Sequence, residues 1–349
     1  MDNHFDIAVI GGGPAGATTA LCLARQGWRV GIFESTALDQ DQWGETLPPE
    51  VNPVLRELGL WDAFISGSPL ESPGSVSTWG SIHPVEVDFA GNAFGCGWHI
   101  DRKRFDRTLC RQAEEAGASL FLNCKMPFTA VNGRWKAEGV ESRLLVNASG
   151  RSGQLLYPDW VCEDALLAIV IRVKRGAGSS RDQRTWIETA PAGWWYSILL
   201  PDETGLTMFF TGAEIYRDQS ISIEEQWKAA PLMRSRLESG PVSPVSIAYV
   251  PSGCLESMFG PNWVAVGDRA SAYDPLSGRG IFKALRHGQA AARAIDATLR
   301  GDASAMKRYA SHVRLEFAAY SQQRRRFYSA ELRWADHPFW LARRSEILR

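Results

Sequence analysis

The sequence lacks the features that usually identify membrane-spanning, disulfide-stabilised or zinc-binding proteins. No apolar run is long enough to cross a bilayer. The apolar residues 7–23 are interrupted by glycines and a proline, and no basic region precedes them as it would in a secretory signal. The six cysteines are dispersed and form no C-x-x-C pair. We therefore expect reduced thiols in a cytoplasmic protein with neither a membrane span nor a metal site.

A large charge of one sign is also missing. The formal net charge of the 349 residues is -1 and the pI is about 6.6, so we expect no attraction to nucleic acid or to an anionic membrane. Internal repeats and low-complexity linkers are absent as well. The composition does include 45% hydrophobic residues and 14 tryptophans, which is enough for one large or two modest domains with a hydrophobic core.

A glycine-rich turn near the N-terminus predicts a dinucleotide-binding site. The apolar residues 5–10 indicate a strand, the string GGGPAG follows directly, and Pro14 begins a helix. Residues 28–33 indicate a second strand. This order of strand, turn, helix and strand is the context that makes G-x-G-x-x-G a specific signal.

Each conspicuous residue of this unit has a physical role. Gly11 permits the tight turn, Gly13 leaves room for a pyrophosphate at the backbone, and Gly16 lets the helix pack closely on the sheet. Glu34 follows the second strand, where a carboxylate accepts hydrogen bonds from ribose hydroxyls and repels a 2′-phosphate. The turn alone does not separate FAD from NAD.

A second glycine-rich turn lies far downstream. Residues 263–266 indicate a short strand that runs into GDRASAYDPLSGRGIFKALRHGQAAARAI, which begins at Gly267-Asp268 and ends in a long amphipathic helix. This string resembles the second flavin motif of the p-hydroxybenzoate-hydroxylase-type flavoproteins. The resemblance implies that Asp268 binds a ribityl hydroxyl and that the backbone of residues 278–280 lies beside the flavin, whose anionic reduced form the helix dipole would stabilise. Together the two motifs predict FAD as the cofactor.

Two further strings match the same family. In HIDRKRFDRTL, Arg102 occupies the place of an arginine that reaches the cofactor, although the residues alone also describe Asp101 as a helix N-cap and Arg102 as a surface base. In LLVNASGRSG, Asn147 and Ser149 replace the usual acids, so a nicotinamide-handling role is not carried over. The cofactor site implied by the resemblance consists of Gly11, Gly13, Pro14, Ala15, Gly16, Glu34, Ser35, Glu45, Thr46, Arg102, Gly267, Asp268, Gly278, Gly280 and Ile281.

The implied fold is α/β, with a Rossmann-like FAD domain of the glutathione-reductase type, an inserted antiparallel-sheet substrate domain and C-terminal helices. The FAD domain is expected to be discontinuous and to take residues 1–75, 97–160 and 255–300. The substrate domain then takes residues 76–96 and 161–254, and the helical segment takes residues 301–349. Strand-like runs expected in the inserted sheet are residues 167–173, 194–200, 206–210 and 245–249.

Two strings narrow the reaction. WGETLPPE and GWWYSILLP resemble segments of the flavin-dependent tryptophan halogenases and their hydroxylase relatives, but Tyr196 replaces a tryptophan and Leu199 a proline. Halogenases need a lysine shortly after the first segment and a glutamate before the flavin-loop glycine turn. The stretch SPLESPGSVSTWG contains no lysine, and Ser277 stands in the place of the glutamate. The resemblance therefore implies direct oxygen transfer from the flavin to an electron-rich ring, and not halogenation.

The substrate pocket is expected to be aromatic. Trp194, Tyr196 and Pro275 are its candidate residues, and no catalytic side chain is identified. Because side chains alternate along a strand, Trp194 and Tyr196 share one face while Trp195 points to the other. Packing between the sheet and the FAD domain explains the three rings equally well.

The combination GETLPPE, GWWYS, YDPLSGRGI and FWLARR resembles the LodB/GoxB/QhpG-like flavoproteins of tryptophylquinone biogenesis. The resemblance implies O2-dependent hydroxylation of a tryptophan in a protein substrate, a quinoprotein oxidase precursor. Electrons would come from NAD(P)H or from a partner reductase. Two alternatives stay open: a flavin-dependent reductase of the geranylgeranyl-reductase type, and a non-catalytic flavin-binding assembly factor.

Two remaining features have a structural and a functional interpretation. His99 and His287 lie beside flavin motifs, but we expect packing and not catalysis from both. The C-terminal arginines and aromatics either pack a helix on the sheet or help to dock a protein client. These residues are Arg324, Arg325, Arg326, Trp334, Phe339, Trp340, Arg343 and Arg344.

Overall fold

The computed structural model describes residues 4–40, 42–151, 160–173, 181–218, 221–236 and 246–344. In these ranges the strands, in chain order, are β1 His4–Ile10, β2 Val30–Phe33, β3 Thr46–Leu47, β4 Leu70–Ser72, β5 Gly74–Thr78, β6 Val85–Asp88, β7 Gly97–His99, β8 Ser119–Phe121, β9 Thr129–Val131, β10 Arg134–Ala137, β11 Val140–Asn147, β12 Trp160–Val173, β13 Thr185–Ala190, β14 Gly193–Leu199, β15 Gly205–Gly212, β16 Ser246–Leu255, β17 Phe259–Gly260, β18 Trp263–Ala265 and β19 Ser271–Ala272.

The helices in the same ranges are α1 Pro14–Arg25, α2 Val51–Glu57, α3 Trp61–Ser66, α4 Arg102–Glu115, α5 Ala213–Arg217, α6 Ile223–Lys228, α7 Pro231–Arg236, α8 Gly280–Leu299, α9 Ala305–Ala330 and α10 Pro338–Arg344. Two short 3₁₀ turns, Gly267–Arg269 and Pro275–Ser277, interrupt the second glycine-rich string. None of the described helices is long and apolar enough to cross a membrane.

The first sheet is the dinucleotide-binding sheet that the N-terminal turn predicts. Its core is parallel, in the order β18, β11, β1, β2 and β8, and β17 and the β9–β10 hairpin add antiparallel strands. β1, α1 and β2 follow one another as a βαβ unit, which is the connection that parallel strands require. β2 begins at Val30 and not at Trp28 as expected, because its parallel pairing with β1 begins at the pair Ile7 and Val30.

Close helix packing joins the two glycine-rich segments. α1 packs against both α4 and α8. A Cβ atom at Gly288 of α8 would lie 2.8 Å from Cβ of Thr18 and 2.9 Å from the carbonyl oxygen of Ala15, so the two helices approach at backbone distance. The helix that follows the second flavin motif therefore lies directly on the helix of the first.

The second sheet contains the four strand-like runs named from the sequence. Its order is β19, β16, β12, β15, β14, β13, β5 and β6. The pairings are antiparallel, as expected for the inserted sheet, except that β13 pairs with β5 in parallel. A long stretch of chain separates these two strands, so no tight turn forces them to run in opposite directions.

The proposed domain boundaries stay a prediction. β19 pairs with β16 of the second sheet, although it lies in the range 255–300 that we assigned to the FAD domain. Of the sequence expectations, residues 152–153, residue 245 and residues 345–349 lie outside the described part of the chain.

Strand alternation divides the core of the second sheet into two layers. Trp194 belongs to a cluster with Tyr328, Phe339 and Trp340 of the C-terminal helices, and Trp195 belongs to the opposite cluster with Trp227. The expected separation of Trp194 from Trp195 is confirmed. α9 reaches both halves of the molecule, because its first turns pack in the core of the first sheet and Tyr328 near its end packs on the second sheet.

Candidate flavin and substrate site

The first glycine turn has the geometry that a dinucleotide requires. Gly11 has a φ of 99°, and a Cβ atom there would lie 2.5 Å from the carbonyl oxygen of Ala148. A Cβ atom at Gly16 would overlap the carbonyl oxygen of Gly11, so the start of α1 packs directly on the turn. A Cβ atom at Gly13 would meet nothing within 4 Å. The open side of the turn therefore leaves the space that a pyrophosphate would fill.

Glu34 fixes the edge of this turn. One of its carboxylate oxygens accepts from the backbone nitrogen of Gly12 at 2.8 Å, and the other accepts from the backbone nitrogen of Thr36 at 2.9 Å. Ser35 is exposed beside it. The hydroxyls of Thr36 and Ser35 also donate to Oε1, at 2.8 Å and 3.3 Å. Oε2 accepts from Gly12, and because a carboxylate oxygen has two lone pairs it can also accept from a ribose hydroxyl.

The second glycine turn meets the first one in space. Gly267 has a φ of 65°, and a Cβ atom there would lie 2.5 Å from Cβ of Ala15 at the beginning of α1. Only glycine combines this backbone conformation with so close a neighbour. The strands β1 and β18, which lead into the two turns, both pair with β11 in parallel. The two motifs are therefore parts of one site although about 250 residues separate them.

Asp268 is held ionised by two cations that the sequence analysis did not identify. Arg151 Nε donates to one oxygen at 2.8 Å and Lys283 Nζ to the other at 2.7 Å. Burial alone would raise the pKa of Asp268, but Lys283 and Arg151 outweigh it and hold the pKa well below the usual range. Burial also lowers the pKa of Lys283. The available signal was a lysine on the apolar face of the amphipathic helix α8.

The loop between Asp274 and α8 faces open space at its glycines. Asp274 caps the 3₁₀ turn that contains Pro275, and Gly278 ends that turn with a φ of 59°. A Cβ atom at Gly278 or Gly280 would meet nothing within 4 Å, and Ile281 is buried in the first turn of α8. The N-terminus of a 20-residue helix thus begins at an open position, where its dipole favours negative charge.

The GET segment is anchored from α4. Arg102 Nη1 donates to the carbonyl oxygen of Trp43 at 2.8 Å, and its Nη2 donates to Asp106 at 2.9 Å. Glu45 is 3% exposed, and its Oε2 accepts from the backbone nitrogen of Gly44 at 2.9 Å. Burial raises the pKa of Glu45 to about 7 even though Arg102 opposes the shift. The Arg102 side chain is only 11% exposed and anchors this segment, so its interpretation as a surface base is wrong.

Thr46 joins this segment to the predicted substrate pocket. Its hydroxyl is hydrogen-bonded to the phenol of Tyr196 in β14. Burial raises the pKa of Tyr196, so the phenol is neutral. Trp194 is fully buried, its ring lies 4.1 Å from Phe210 in a stacked arrangement, and its indole nitrogen donates to Tyr328. Tyr196 therefore lies at the boundary with the GET segment. Trp194 has no exposed surface and is enclosed with Phe210 and Tyr328, which corrects the expectation that it lines a pocket.

Trp43 is a further aromatic residue that the sequence analysis missed. It is partly buried against the same cluster as Trp194, and the guanidinium of Arg172 lies 5.7 Å from its ring. Arg172 lies two residues after Val170 on β12, so both side chains point to the face that packs in this cluster. The signal for Trp43 was its position directly before the GET motif.

The two histidines have the environment of packing residues. His99 is fully buried, its Nε2 lies 3.2 Å from the Thr185 hydroxyl, and burial together with Arg236 lowers its pKa to about 3. His287 pairs with Glu316 across α8 and α9 at 2.9 Å. Among the described residues no group of three or more His, Cys, Asp and Glu is arranged to hold a metal ion.

For the C-terminal arginines and aromatics, the sequence left open whether they pack on the sheet or dock a protein client. Phe339 and Trp340 are fully buried, and Arg324 and Arg343 both pair with Asp164 of β12. For these four residues docking of a client is ruled out by burial, and packing on the sheet is the correct interpretation. Arg326 is exposed.

Comparison with known proteins agrees with this geometry. Residues 81–348 match the tryptophan halogenase family, and residues 6–45 match the family of FAD dependent oxidoreductases. LodB of Marinomonas mediterranea, named as an FAD-dependent oxidoreductase, is 28% identical over 97% of this chain and 96% of its own length.

Two solved structures share the fold. The flavin-dependent halogenase CmlS gives a TM-score of 0.84 at 24% identity, covering 99% of this chain and 68% of its own. QhpG, a peptidyl tryptophan dihydroxylase essential for tryptophylquinone cofactor biogenesis, gives a TM-score of 0.78 at 22% identity, covering 97% and 78%.

The fold and the paired glycine turns define an FAD-dependent oxidoreductase, which is an enzyme. The chain belongs to the tryptophan halogenase family, whose match covers more than half of it. The predicted α/β fold and the predicted relationship to LodB-like and QhpG-like flavoproteins are confirmed.

Proposed function

We propose that this protein is an FAD-dependent monooxygenase that hydroxylates an aromatic ring, namely the indole of a tryptophan in a protein precursor of a tryptophylquinone enzyme. One observation carries the proposal: the glycine turns leave the space that FAD needs, whereas the two groups on which halogenation depends are missing. The stretch 68–80 forms β4 and β5 without a lysine, and Ser277 occupies the place of the glutamate beside Gly278.

The site residues divide by the part of FAD that they would hold. The backbone of residues 11–16 with Pro14 and Ala15 would bind the pyrophosphate, and Glu34 and Ser35 the adenosine ribose. Asp268 after Gly267 would accept from the ribityl chain, and Gly278, Gly280 and Ile281 would flank the ring system. When bound, FAD supplies the two-electron reduction of O2 and the transfer of one oxygen atom.

The chain's own contribution is to position the substrate and exclude water. Arg102 fixes the carbonyls of Trp43 and Gly44 in the GET segment, and Thr46 fixes the Tyr196 phenol. The aromatic side chains Trp43 and Tyr196, with Pro275 of the loop, are then the proposed contacts for a planar ring. The ring C–H becomes C–OH and the second oxygen atom leaves as water, so that one substrate molecule consumes one O2, two electrons and two protons.

The similarity to QhpG, an enzyme of a peptidyl substrate by its description, supports a protein partner over a free amino acid. NAD(P)H and a reductase partner are the two proposed electron donors. Mixing the oxygen-free holoprotein with NADH or NADPH separates them: bleaching of the flavin absorbance indicates direct reduction, and no bleaching indicates a reductase.

The decisive experiment supplies ¹⁸O2, FAD and a reductant to the protein together with a quinoprotein precursor polypeptide. Mass spectrometry of the digested polypeptide is expected to show ¹⁸O on a tryptophan. A precursor that binds but is recovered unchanged would indicate an assembly factor, and reduction of an isoprenoid would indicate a reductase.

A further inference from the structure

Asp274 is the residue at which the C-terminal part of the chain contacts the flavin loop. It is 1% exposed and lies directly before Pro275. Its Oδ1 accepts from the backbone nitrogen of Leu276 at 2.8 Å, which closes the turn towards Gly278. Its Oδ2 accepts from the Tyr328 phenol at 2.7 Å and from Arg324 Nε at 3.2 Å, and its backbone nitrogen donates to the Tyr320 phenol at 2.6 Å.

The three residues that reach Asp274 are evenly spaced on α9. Tyr320, Arg324 and Tyr328 are four residues apart, so they project from one face of the helix. All three are buried, although the same part of the helix contains the basic run 324–326. One face of α9 therefore contacts both the carboxylate of Asp274, through Arg324 and Tyr328, and its backbone nitrogen, through Tyr320.

The charges of this network are balanced and largely buried. Arg324 also pairs with Asp164 in β12, and Arg343 of α10 pairs with the same carboxylate at 2.7 Å. Two aspartates thus face two arginines in the interior. A buried ion-pair network is often no more stabilising than apolar side chains of the same volume, whereas it fixes the relative positions of the elements that it joins. We therefore attribute this network to the positioning of the loop, β12 and the two C-terminal helices, and not to added stability.

The same network reaches the sheet beside the predicted pocket. The Tyr328 phenol accepts from the indole nitrogen of Trp194 in β14 at 3.1 Å while it donates to Asp274. Leu276 of the loop is packed against the cluster that contains Trp194. One hydroxyl group therefore connects β14 to the loop.

We propose that Tyr320, Arg324 and Tyr328 are positioning residues, which act through Asp274 to set the loop 274–280 and the N-terminus of α8 at the flavin. The inference rests on the proposed FAD site, but it does not depend on the identity of the substrate. In this arrangement α9 determines how the loop presents Gly278 and Gly280 to the ring system.

The test compares two losses of one buried hydroxyl from the same helix. Tyr328→Phe removes the hydrogen bonds with Asp274 and Trp194, and Ser321→Ala removes a hydroxyl that donates to Glu163 of β12 at 2.8 Å and accepts from Arg325 at 2.9 Å. We expect both variants to melt at similarly lowered temperatures. Tyr328→Phe alone is expected to shift the visible absorption bands of bound FAD and to raise the Kd for FAD roughly two- to tenfold.

A second background tests the route through Asp274. If Tyr328 acts on the flavin by way of that carboxylate, Tyr328→Phe has no further effect on the FAD Kd in a protein that already carries Asp274→Ala. Equal spectra and Kd values for Tyr328→Phe and Ser321→Ala, or additive effects with Asp274→Ala, would overturn the inference. Wild-type FAD binding would then leave the proposed function intact. Failure of the wild-type protein to bind FAD would overturn both.

Discussion

Among single residues, the buried charges around Arg102 have the clearest consequences. Arg102 pairs with Asp106 and also interacts electrostatically with Glu45, and burial raises the pKa of both carboxyl groups. Within the described chain, Glu45 Oε1 has no hydrogen-bond partner. The protein therefore buries an acid that is easier to accommodate in its protonated form.

This burial predicts a pH-dependent stability. Because the pKa of Glu45 is raised to about 7 in the folded protein, the folded state retains a proton that the unfolded chain releases at lower pH. Stability is then lost as the pH rises from the ordinary pKa of a glutamate through about 7. Glu45→Gln cannot ionise, so we expect it to unfold like the wild type near pH 5 and to gain on the order of 3 kcal/mol relative to it near pH 8.

Urea unfolding of the two flavin-free proteins at both pH values measures this difference. Glu224→Gln is the control, since Glu224 is an exposed partner of Lys228. A stability difference between wild type and Glu45→Gln that does not change with pH would contradict the raised pKa.

Gly13 and Gly16 give opposite predictions although they belong to one motif. Gly13→Val adds a side chain to open space, so we expect a protein that folds normally but loses FAD through steric exclusion of the pyrophosphate. Gly16→Val places its Cβ atom on the carbonyl oxygen of Gly11, so the flavin-free fold itself is expected to be destabilised. Flavin absorbance and the melting temperature of each flavin-free variant separate the effects, and full FAD occupancy in Gly13→Val would refute the pyrophosphate assignment.

At the scale of elements, β4, β5 and the loop 274–278 determine the reaction that we expect. By the resemblance to the halogenases, the stretch 68–80 corresponds to the part that carries their lysine, and Ser277 stands in place of a glutamate. These two departures are the basis on which we propose hydroxylation and not halogenation.

We therefore predict that turnover in bromide gives no brominated product. Mass spectrometry of the reaction mixture measures this, with a flavin-dependent halogenase assayed in parallel to show that bromide and reduced flavin are sufficient. A brominated indole from this protein would be inconsistent with the hydroxylase assignment.

At the scale of the whole molecule, the proposed function depends on whether the substrate is a small molecule or a polypeptide. A small phenol is best enclosed, whereas a tryptophan within a polypeptide needs an open approach to the flavin. Binding energy from the rest of a polypeptide can also be used to position the reacting ring, which a free amino acid cannot supply. Docking through Phe339, Trp340, Arg324 and Arg343 is ruled out by their burial.

We predict that free tryptophan is hydroxylated with a kcat/KM on the order of 100-fold lower than that of a precursor polypeptide. Oxygen consumption coupled to product formation measures both reactions under one set of conditions. Efficient hydroxylation of the free amino acid, without binding to any quinoprotein precursor, would overturn the assignment of a protein substrate.

Local backbone requirements could be predicted from the sequence. The turn at Gly11, the start of α1 at Pro14 and the helix after Gly280 follow from residue types whose conformational limits act within a few positions. The alternation of Trp194 and Trp195 follows from the period of a strand. These are properties of neighbouring residues, and the chain needs no tertiary contact to encode them.

Side-chain pairing was decided only by the tertiary structure. The sequence does not show that Lys283 and Arg151 hold Asp268, or that Tyr328 meets Asp274, because the partners lie on elements that folding alone brings together. Arg324 illustrates the difference: it looks like a surface charge in RRR, but it is buried where distant strands and loops supply Asp164 and Asp274. A charge can leave water only where such partners are in place, and their positions depend on the packing of the whole chain.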